Sequence, residues 1–188
     1  MKKIQTPNAK GEVRIIAGIW RGRKLPVLNS EGLRPTGDRV KETLFNWLMP
    51  YIHQSECLDG FAGSGSLGFE ALSRQAKKVT FLEVDKIVAN QLKMNLQTLI
   101  CSSEEAEVIN QNSLEFLKQA QNQPHFDVVF LDPPFHFGLA EQAIALLEEK
   151  NWLLPRALIY VETEKDKPLS VPDNWQLLKE KTTGMVSY

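Results

Sequence analysis

Asp132 closes the apolar run Val128, Val129, Phe130, Leu131 and is followed at once by Pro133, Pro134 and Phe135. A residue before proline is driven to extended backbone, so Asp132 and Pro133 are both held out of helix. Neither proline has an N–H with which to close the turn. The spacing predicts a stiff bend that turns a carboxylate and the Pro133 carbonyl outward as paired acceptors. Such a pair suits an exocyclic amino group, which offers two N–H donors. Phe135 adds a flat face for a base ring, and base–aromatic stacking contributes about 1–3 kcal/mol whatever the base. The plainer alternative is a strand that ends in a proline turn with Phe135 in the core.

A second constellation lies upstream in "LDGFAGSGSLGFEAL", which ends one strand and opens a helix. Gly63, Gly65 and Gly68 allow a tight turn and close approach of a ligand. The stretch lacks the Lys–Ser/Thr pair of a phosphate-hydrolysing loop. Asp59 precedes the glycines, where a carboxylate repels pyrophosphate and suits a cation. The next strand ends at Glu83, about 20 residues on, where an acid can take a pair of ribose hydroxyls. A ribose, a positive charge and no phosphate together fit S-adenosylmethionine. Asn112 and Ser113 follow a third strand; bonding the adenine and capping the next helix are both open to them, and a dual role is expected. Asp85 reads as a helix cap. A generic strand–helix turn explains the glycines alone, but not both acids in register with them.

The two constellations complement each other chemically. A nucleobase amine is a poor nucleophile because its lone pair is delocalised into the ring. Accepting both of its N–H bonds pulls the nitrogen toward tetrahedral geometry and aims the lone pair at a sulfonium methyl. Charge is lost from sulfur in the transfer, so alignment is the main requirement, and alignment can supply roughly 7–11 kcal/mol of a barrier. Asp132 or water takes the departing proton.

These residues need elements to position them. "EVRIIAGIWRGRKLPV" predicts a hairpin around Gly18 to Gly22. In "LRPTGDRVKETLFNWL", Thr36 or Asp38 caps a helix whose Val40, Leu44, Trp47 and Leu48 share one face, with Pro50 just past its end. From Cys57 onward strands alternate with helices: "ECLDGF", "KVTFLEVD", "AEVINQ", "FDVVFLD" and "ALIYVETE" are strands. Between them fall helices that include one carrying Val88, Leu92, Asn95, Leu96 and Leu99. "WQLLKEKTTGMVSY" predicts two more strands around Gly184, an antiparallel hairpin at the sheet edge. The sum is a Rossmann-like, seven-stranded, mostly parallel sheet with helices on both faces, its last strand antiparallel, plus a small N-terminal hairpin and helix. In such sheets ligands sit beyond the carboxyl ends of the strands. Those ends here read "DGFAGSGSLG", "EVD", "NQNS" and "DPPF".

Bulk properties narrow the class. With 188 residues and 43% apolar content, one domain with a real core is expected. Net charge is −1, yet residues 1–41 hold ten Lys and Arg against Glu12, Glu31 and Asp38. That imbalance points to an anionic partner, although a solvated basic face explains it equally well. Cys57 and Cys101 are isolated, as in a reduced compartment. His53, His125 and His136 lack ligand spacing, so no metal is expected. No secretory signal and no membrane-length apolar run is found, so a soluble, cytoplasmic protein is expected.

"DGFAGSGSLG" followed by "DPPF" resembles the class I S-adenosylmethionine-dependent methyltransferases that act on amino groups. With "RIIAGIWRGRKL" and "RPTGDRVKETLFNWL" upstream, the chain is similar to the bacterial 16S ribosomal RNA guanine-N(2) methyltransferase family from about Glu12 to its end. The resemblance implies that Asp132, Pro133, Pro134 and Phe135 are catalytic and bind the target guanine. It implies that Asp59, Gly60, Phe61, Gly63, Gly65, Glu83 and Asn112 line the cofactor. The helix with Arg34, Thr36, Arg39 and Lys41 would abut the site, Arg39 and Lys41 facing cofactor or RNA. Arg14, Arg21, Arg23 and Lys24 would grip phosphates of 16S rRNA in an assembling or assembled small ribosomal subunit. Trp20 is expected to pack beneath the hairpin rather than stack on a base. Residues 1–34 form the basic extension in this reading and residues 35–188 the methyltransferase domain, working as a monomer. The family's last strand usually runs several residues beyond the position of Tyr188, so the edge strand is expected to be short. Rival readings are a DNA adenine-N(6) methyltransferase, which would need an added recognition segment, and a protein glutamine methyltransferase, which would carry Asn at position 132. A non-catalytic RNA-binding scaffold on the same fold is the third.

Overall fold

The computed structural model describes residues 9–28 and 37–188. Arg34 and Thr36, and the cap expected of Thr36, lie outside the described residues. Two strands, β1 (Ala9–Arg14) and β2 (Lys24–Leu28), form the expected antiparallel hairpin, with Arg14 opposite Lys24 and Val13 opposite Leu25. Val13, Leu25 and Val27 are buried while Arg14, Lys24 and Pro26 are exposed, so the period-two pattern lays one face on the rest of the chain. Helix α1 (Asp38–Ile52) follows, with Gly37 at its N-cap and no side-chain capping bond. Leu44, Phe45, Leu48 and Ile52 form its buried stripe. Pro50 lies inside the last turn and not beyond it. Its missing N–H comes where the helix is about to end, and buried Ile52 anchors the turn.

The alternating units follow as β3 (Glu56–Asp59), α2 (Ser66–Ser73), β4 (Lys78–Leu82), α3 (Lys86–Thr98) and β5 (Ala106–Ile109). They continue as α4 (Ser113–Leu117), β6 (Phe126–Leu131), α5 (Leu139–Glu149) and β7 (Leu153–Val161). The five strands are all parallel and lie in the order β5-β4-β3-β6-β7. The chain winds outward from β3 to β5, then returns to place β6 on the other side of β3. Alternate residues feed two cores. Cys57, Val79, Phe81, Val128 and Phe130 join α1, α2 and α3 on one face. Leu58, Leu82, Val129 and Leu131 join α4 and α5 on the other. Among the described residues, no helix is long and apolar enough to cross a membrane.

The tail refines the seven-strand expectation. Among the described residues, five strands belong to the parallel sheet. The last hairpin, β9 (Thr182–Thr183) and β10 (Val186–Ser187), turns at Gly184 and pairs with β8 (Thr163–Glu164) in a separate three-stranded antiparallel sheet. The ladder breaks at Glu162, between β7 and β8. The stretch 175–180, expected as strand, is irregular, with Leu177 and Leu178 exposed, and pairing begins only at Lys181, which exchanges both backbone hydrogen bonds with Tyr188.

One buried carboxylate fastens the hairpin to this framework. Glu70 on α2 is fully buried and accepts hydrogen bonds from Ile16 N–H at 2.8 Å, Ala17 N–H at 3.2 Å and Arg74 Nε at 3.2 Å. Lys41 Nζ lies 3.7 Å away and donates to the Arg14 carbonyl at 2.6 Å and to Ser66 Oγ at 3.1 Å. The expectation that Lys41 faces RNA or cofactor is therefore corrected: it is 1% exposed and its ammonium is used inside the protein. Burial pushes the Lys41 amine down, and Glu70 chiefly opposes that shift. Nearby, Gly18 adopts φ +88°, and a Cβ there would overlap the Ser73 carbonyl that accepts from Ile19 N–H. Trp20 is half-buried against the core and its N–H donates to Ser73 Oγ, so it packs as expected.

Removing one partner of a buried pair leaves a charge with nothing to offset it. Glu70→Ala is expected to lower unfolding free energy by about 3–5 kcal/mol, read as a lowered urea midpoint. Lys41→Met should cost less, because Glu70 keeps its backbone donors.

Candidate active site

Strands β3 and β6 run side by side, with Asp59 opposite Phe130. This is where strand order reverses, so the loops beyond their carboxyl ends diverge and leave a crevice. Gly60 N–H donates to the Phe130 carbonyl at 2.9 Å, which carries the pairing one residue further. The glycine turn after β3 and the Asp132 turn after β6 are therefore neighbours.

The glycine turn is held from several sides. Ala62 N–H reaches the Leu82 carbonyl, Gly65 N–H closes on the Ala62 carbonyl, and Ser113 donates to the Gly60 carbonyl. Gly65 sits at the N-cap of α2 with φ +78°. A Cβ there would press into Phe69 and Leu92, so close packing as well as conformation demands glycine. Phe61 is half-buried against the second core.

Glu83, just past β4, reaches across the turn. Its Oε2 accepts from Gly63 N–H at 2.8 Å and its Oε1 from Asp85 N–H at 3.1 Å. A carboxylate has about four acceptor sites, so each oxygen keeps capacity for a hydroxyl. Glu83 is half-buried, and Asn110 donates to the Glu83 and Val84 carbonyls at 2.9 Å and stiffens the backbone behind it. Asn110 was not apparent from sequence, where only the amide two residues later stood at a helix start. Asp85 caps α3 by accepting from Ile87 and Val88, and Asn112 caps α4 by accepting from Leu114 and Glu115. The Asn112 side-chain oxygen is thus used as a cap, which leaves its amide N–H groups for any ligand role.

Asp59 is buried at the base of the turn, and Gly68 N–H donates to its Oδ2 at 3.0 Å. Burial pushes its carboxyl up to about 8. The Gly68 hydrogen bond opposes that, while Asp132 and Glu83 add to it. Asp132 thus lies within electrostatic reach of the glycine-turn acid. It is half-buried, as is Phe135, whereas Pro133 is buried and Pro134 exposed. Phe135 meets His136 edge-on, with ring centres 6.4 Å apart. His136 is pinned in turn: its N–H donates to Glu164 Oε1 at 3.0 Å, and Lys167 approaches the same oxygen at 3.4 Å. Glu162, which follows β7, emerges beside Asp132, since Leu131 and Val161 are register partners, and is a second acid not apparent from the sequence; burial and Asp132 push its carboxyl up to about 9. Its signal was its place in "VETE", an acid at a strand's carboxyl end like the others.

Arg14, Arg21, Arg23, Lys24 and Arg39 are all exposed. Lys24 pairs loosely with Glu12 at 3.8 Å, and Arg23 Nη2 donates to the Thr98 carbonyl at the end of α3 at 3.4 Å. Among the described residues, no group of His, Cys, Asp and Glu could hold a metal ion.

An acid with spare acceptor sites beyond β4, a buried acid beneath a glycine turn and a parallel sheet with its order reversed at that turn suit a ribose-bearing cation. Fold and site define a class I S-adenosylmethionine-dependent methyltransferase. Comparison with known proteins agrees. Residues 13–188 match the family described as Conserved hypothetical protein 95. A Haemophilus influenzae protein named Ribosomal RNA small subunit methyltransferase D is 89% identical over 188 residues, all of this chain and 97% of that protein. An Escherichia coli protein of the same name is 54% identical, covering 98% of this chain and 93% of its own length. A crystal structure from Haemophilus influenzae, 82% identical, superimposes with a TM-score of 0.85 over 95% of this chain and 96% of that one. The chain belongs to this methyltransferase family.

Asp59 gives a pH prediction. An unfolded aspartate ionises near pH 4, whereas folded Asp59 keeps its proton to about 8. Between those values the folded state binds the extra proton, so stability falls as pH rises. Asp59→Asn removes that loss. Without cofactor its melting temperature is expected to gain on the parent's from pH 4 to pH 8, measured by calorimetry.

Proposed function

We propose that this chain transfers the methyl group of S-adenosylmethionine to the exocyclic N(2) amine of a guanine in 16S rRNA of the small ribosomal subunit. The observation that carries the reading is the pairing of β3 with β6, which sets the Asp132 turn beside the glycine turn. The names of the relatives support a small-subunit ribosomal RNA substrate. The upstream motifs described above support guanine N(2) as the acceptor.

In this reading Asp132 and the Pro133 carbonyl accept the two N–H bonds of the target amine, and Phe135 stacks on its ring. The cofactor supplies an electrophilic methyl on a cationic sulfur. Glu83 holds the ribose, Gly60, Phe61, Gly63 and Gly65 shape the cleft, and Asn112 meets the adenine. Asp59, protonated in the empty protein, ionises beside the bound cation and then lends it negative potential from beneath the turn. Two reactants fixed in line need little further chemistry from the protein. Residues 1–34 act as the basic extension to residues 35–188, and exposed Arg14, Arg21, Arg23, Lys24 and Arg39 meet RNA phosphates. The guanine must be splayed from its stack or sit in an open loop to enter.

The test is labelled-methyl transfer to small subunits from cells lacking the modification, followed by digestion and nucleoside mass spectrometry. N(2)-methylguanosine from 16S rRNA is expected. Label on adenine, on duplex DNA or on protein would overturn the proposal. Asp132→Ala should retain cofactor affinity by calorimetry yet lose roughly a hundredfold or more in kcat. Reversing Arg21, Arg23 and Lys24 to Glu should weaken RNA binding and flatten its salt dependence, with cofactor affinity unchanged. RNA affinity equal to the parent's would remove the hairpin from the interface.

A further inference from the structure

The three-stranded sheet at the end of the chain lies apart from the parallel sheet, yet one of its side chains reaches the turn that carries Phe135. β8 begins just beyond β7 and is fixed by β10: Glu164 lies opposite Val186, and Lys165 N–H donates to the Met185 carbonyl at 2.7 Å. Tyr188 follows β10, and its ring packs against Trp47 of α1 and Tyr160 of β7, with ring centres 5.8 and 6.2 Å away. The small sheet is thereby seated on the main body. From it, Glu164 Oε1 accepts from His136 N–H at 3.0 Å and lies 3.3 Å from His136 Nδ1.

His136 needs such a hold. Its φ is +73°, and a non-glycine residue in this left-handed region persists only where its surroundings fix it. Phe137 beside it is 68% exposed, so burial does not set the loop there. Gln142 on α5 steadies the far side by donating to the Phe137 and Gly138 carbonyls at 3.4 and 3.2 Å. Glu164 steadies the near side, where the His136 ring meets Phe135 edge-on. The line of contact therefore runs from Glu164 through His136 to Phe135. A surface ion pair with Lys167 explains less, because such pairs contribute little and leave the bond to the His136 backbone unaccounted for.

We propose that Glu164 is a positioning residue for methyl transfer: by accepting the His136 N–H it fixes the left-handed turn at His136, and with it the plane of the Phe135 ring on which the target base stacks. The inference rests on the role of Phe135 proposed above. Without the carboxylate, His136 relaxes toward ordinary backbone angles and re-aims the peptide that follows Phe135. The amine then meets the methyl group off line, and small errors of alignment are costly to the rate. Phosphate contacts elsewhere supply most of the RNA affinity, so the loss falls on turnover rather than on binding. The terminal sheet serves in this reading as the mount for one carboxylate.

The experiment compares parent, Glu164→Gln and Glu164→Ala in kcat, KM for small-subunit RNA and cofactor affinity. Glu164→Ala should lose roughly ten- to a hundredfold in kcat, with KM within about twofold and cofactor affinity held. Glu164→Gln keeps a carbonyl oxygen that accepts from the His136 N–H, so it should retain most of kcat although its charge is gone. An alanine variant with parental kcat, a change confined to KM, or a glutamine variant as slow as the alanine one overturns the proposal. Amide hydrogen exchange at His136, followed by nitrogen-15 NMR of the cofactor-free protein, provides an arm independent of substrate. Exchange should be about tenfold or more faster in Glu164→Ala than in the parent, with Glu164→Gln close to the parent. Equal exchange in parent and alanine variant overturns the inference. A parent inactive on small-subunit RNA would refute the proposed function, and the exchange arm would then decide whether Glu164 holds the turn.

Discussion

The adjacency of β3 and β6 is the constraint from which the rest follows. A parallel pair can be neighbours only if the connecting chain crosses over, and here that chain contains β4, β5 and three helices. The crossing splits the helices between two faces and leaves the loops after β3 and β6 facing each other across a gap. Backbone and side-chain hydrogen bonds together then fix the gap. Gly60 N–H on Phe130 and Ser113 on Gly60 hold the floor, and Glu83 on Gly63 holds the wall. The same edge gathers Asp59, Glu83, Asp132 and Glu162. Their crowding and burial are unfavourable in the empty protein, as the raised carboxyls of Asp59 and Glu162 report. An edge like this gains from a cationic ligand in a way a neutral cleft would not.

The Glu70 cluster does for the hairpin what the β3–β6 pair does for the crevice. Ile16 and Ala17 on one segment, Lys41 on α1 and Arg74 at the C-cap of α2 all converge on one carboxylate. Ser66, the first residue of α2, shares the Lys41 ammonium, so the cluster also touches the helix that the glycine turn opens. The hairpin is thereby built into the same packed body as the cofactor-side loop.

Much of this was legible in the sequence because local signals and the global fold agree. The runs ending at Asp59, Leu82 and Leu131 are largely apolar on both faces, as parallel strands buried under two helical layers must be. The stripe of Val88, Leu92, Leu96 and Leu99 marked α3, and Asp85 and Asn112 marked helix starts. The misses share a cause: their signals depend on tertiary context. Lys41 looks like any basic helix residue until three neighbours are known to converge on it. Trp175 to Glu180 has strand-like composition but is paired with no strand among the described residues. Pro50 reads as a helix stop, yet packing of Ile52 carries the helix past it. Glu162 is invisible as a site residue until β7 is placed beside β6, because nothing local says which strand end it will face.

The two cysteines carry a practical consequence. Cys57 is buried and Cys101 half-buried, and burial pushes both thiols up to about 12. At neutral pH the reactive anion is then on the order of one molecule in a hundred thousand. Electrophilic thiol reagents need that anion, so the two native thiols react slowly with them. One cysteine introduced at an exposed hairpin position would outpace both native thiols in alkylation. A dye attached there would report the approach of a polyanion without disturbing the crevice.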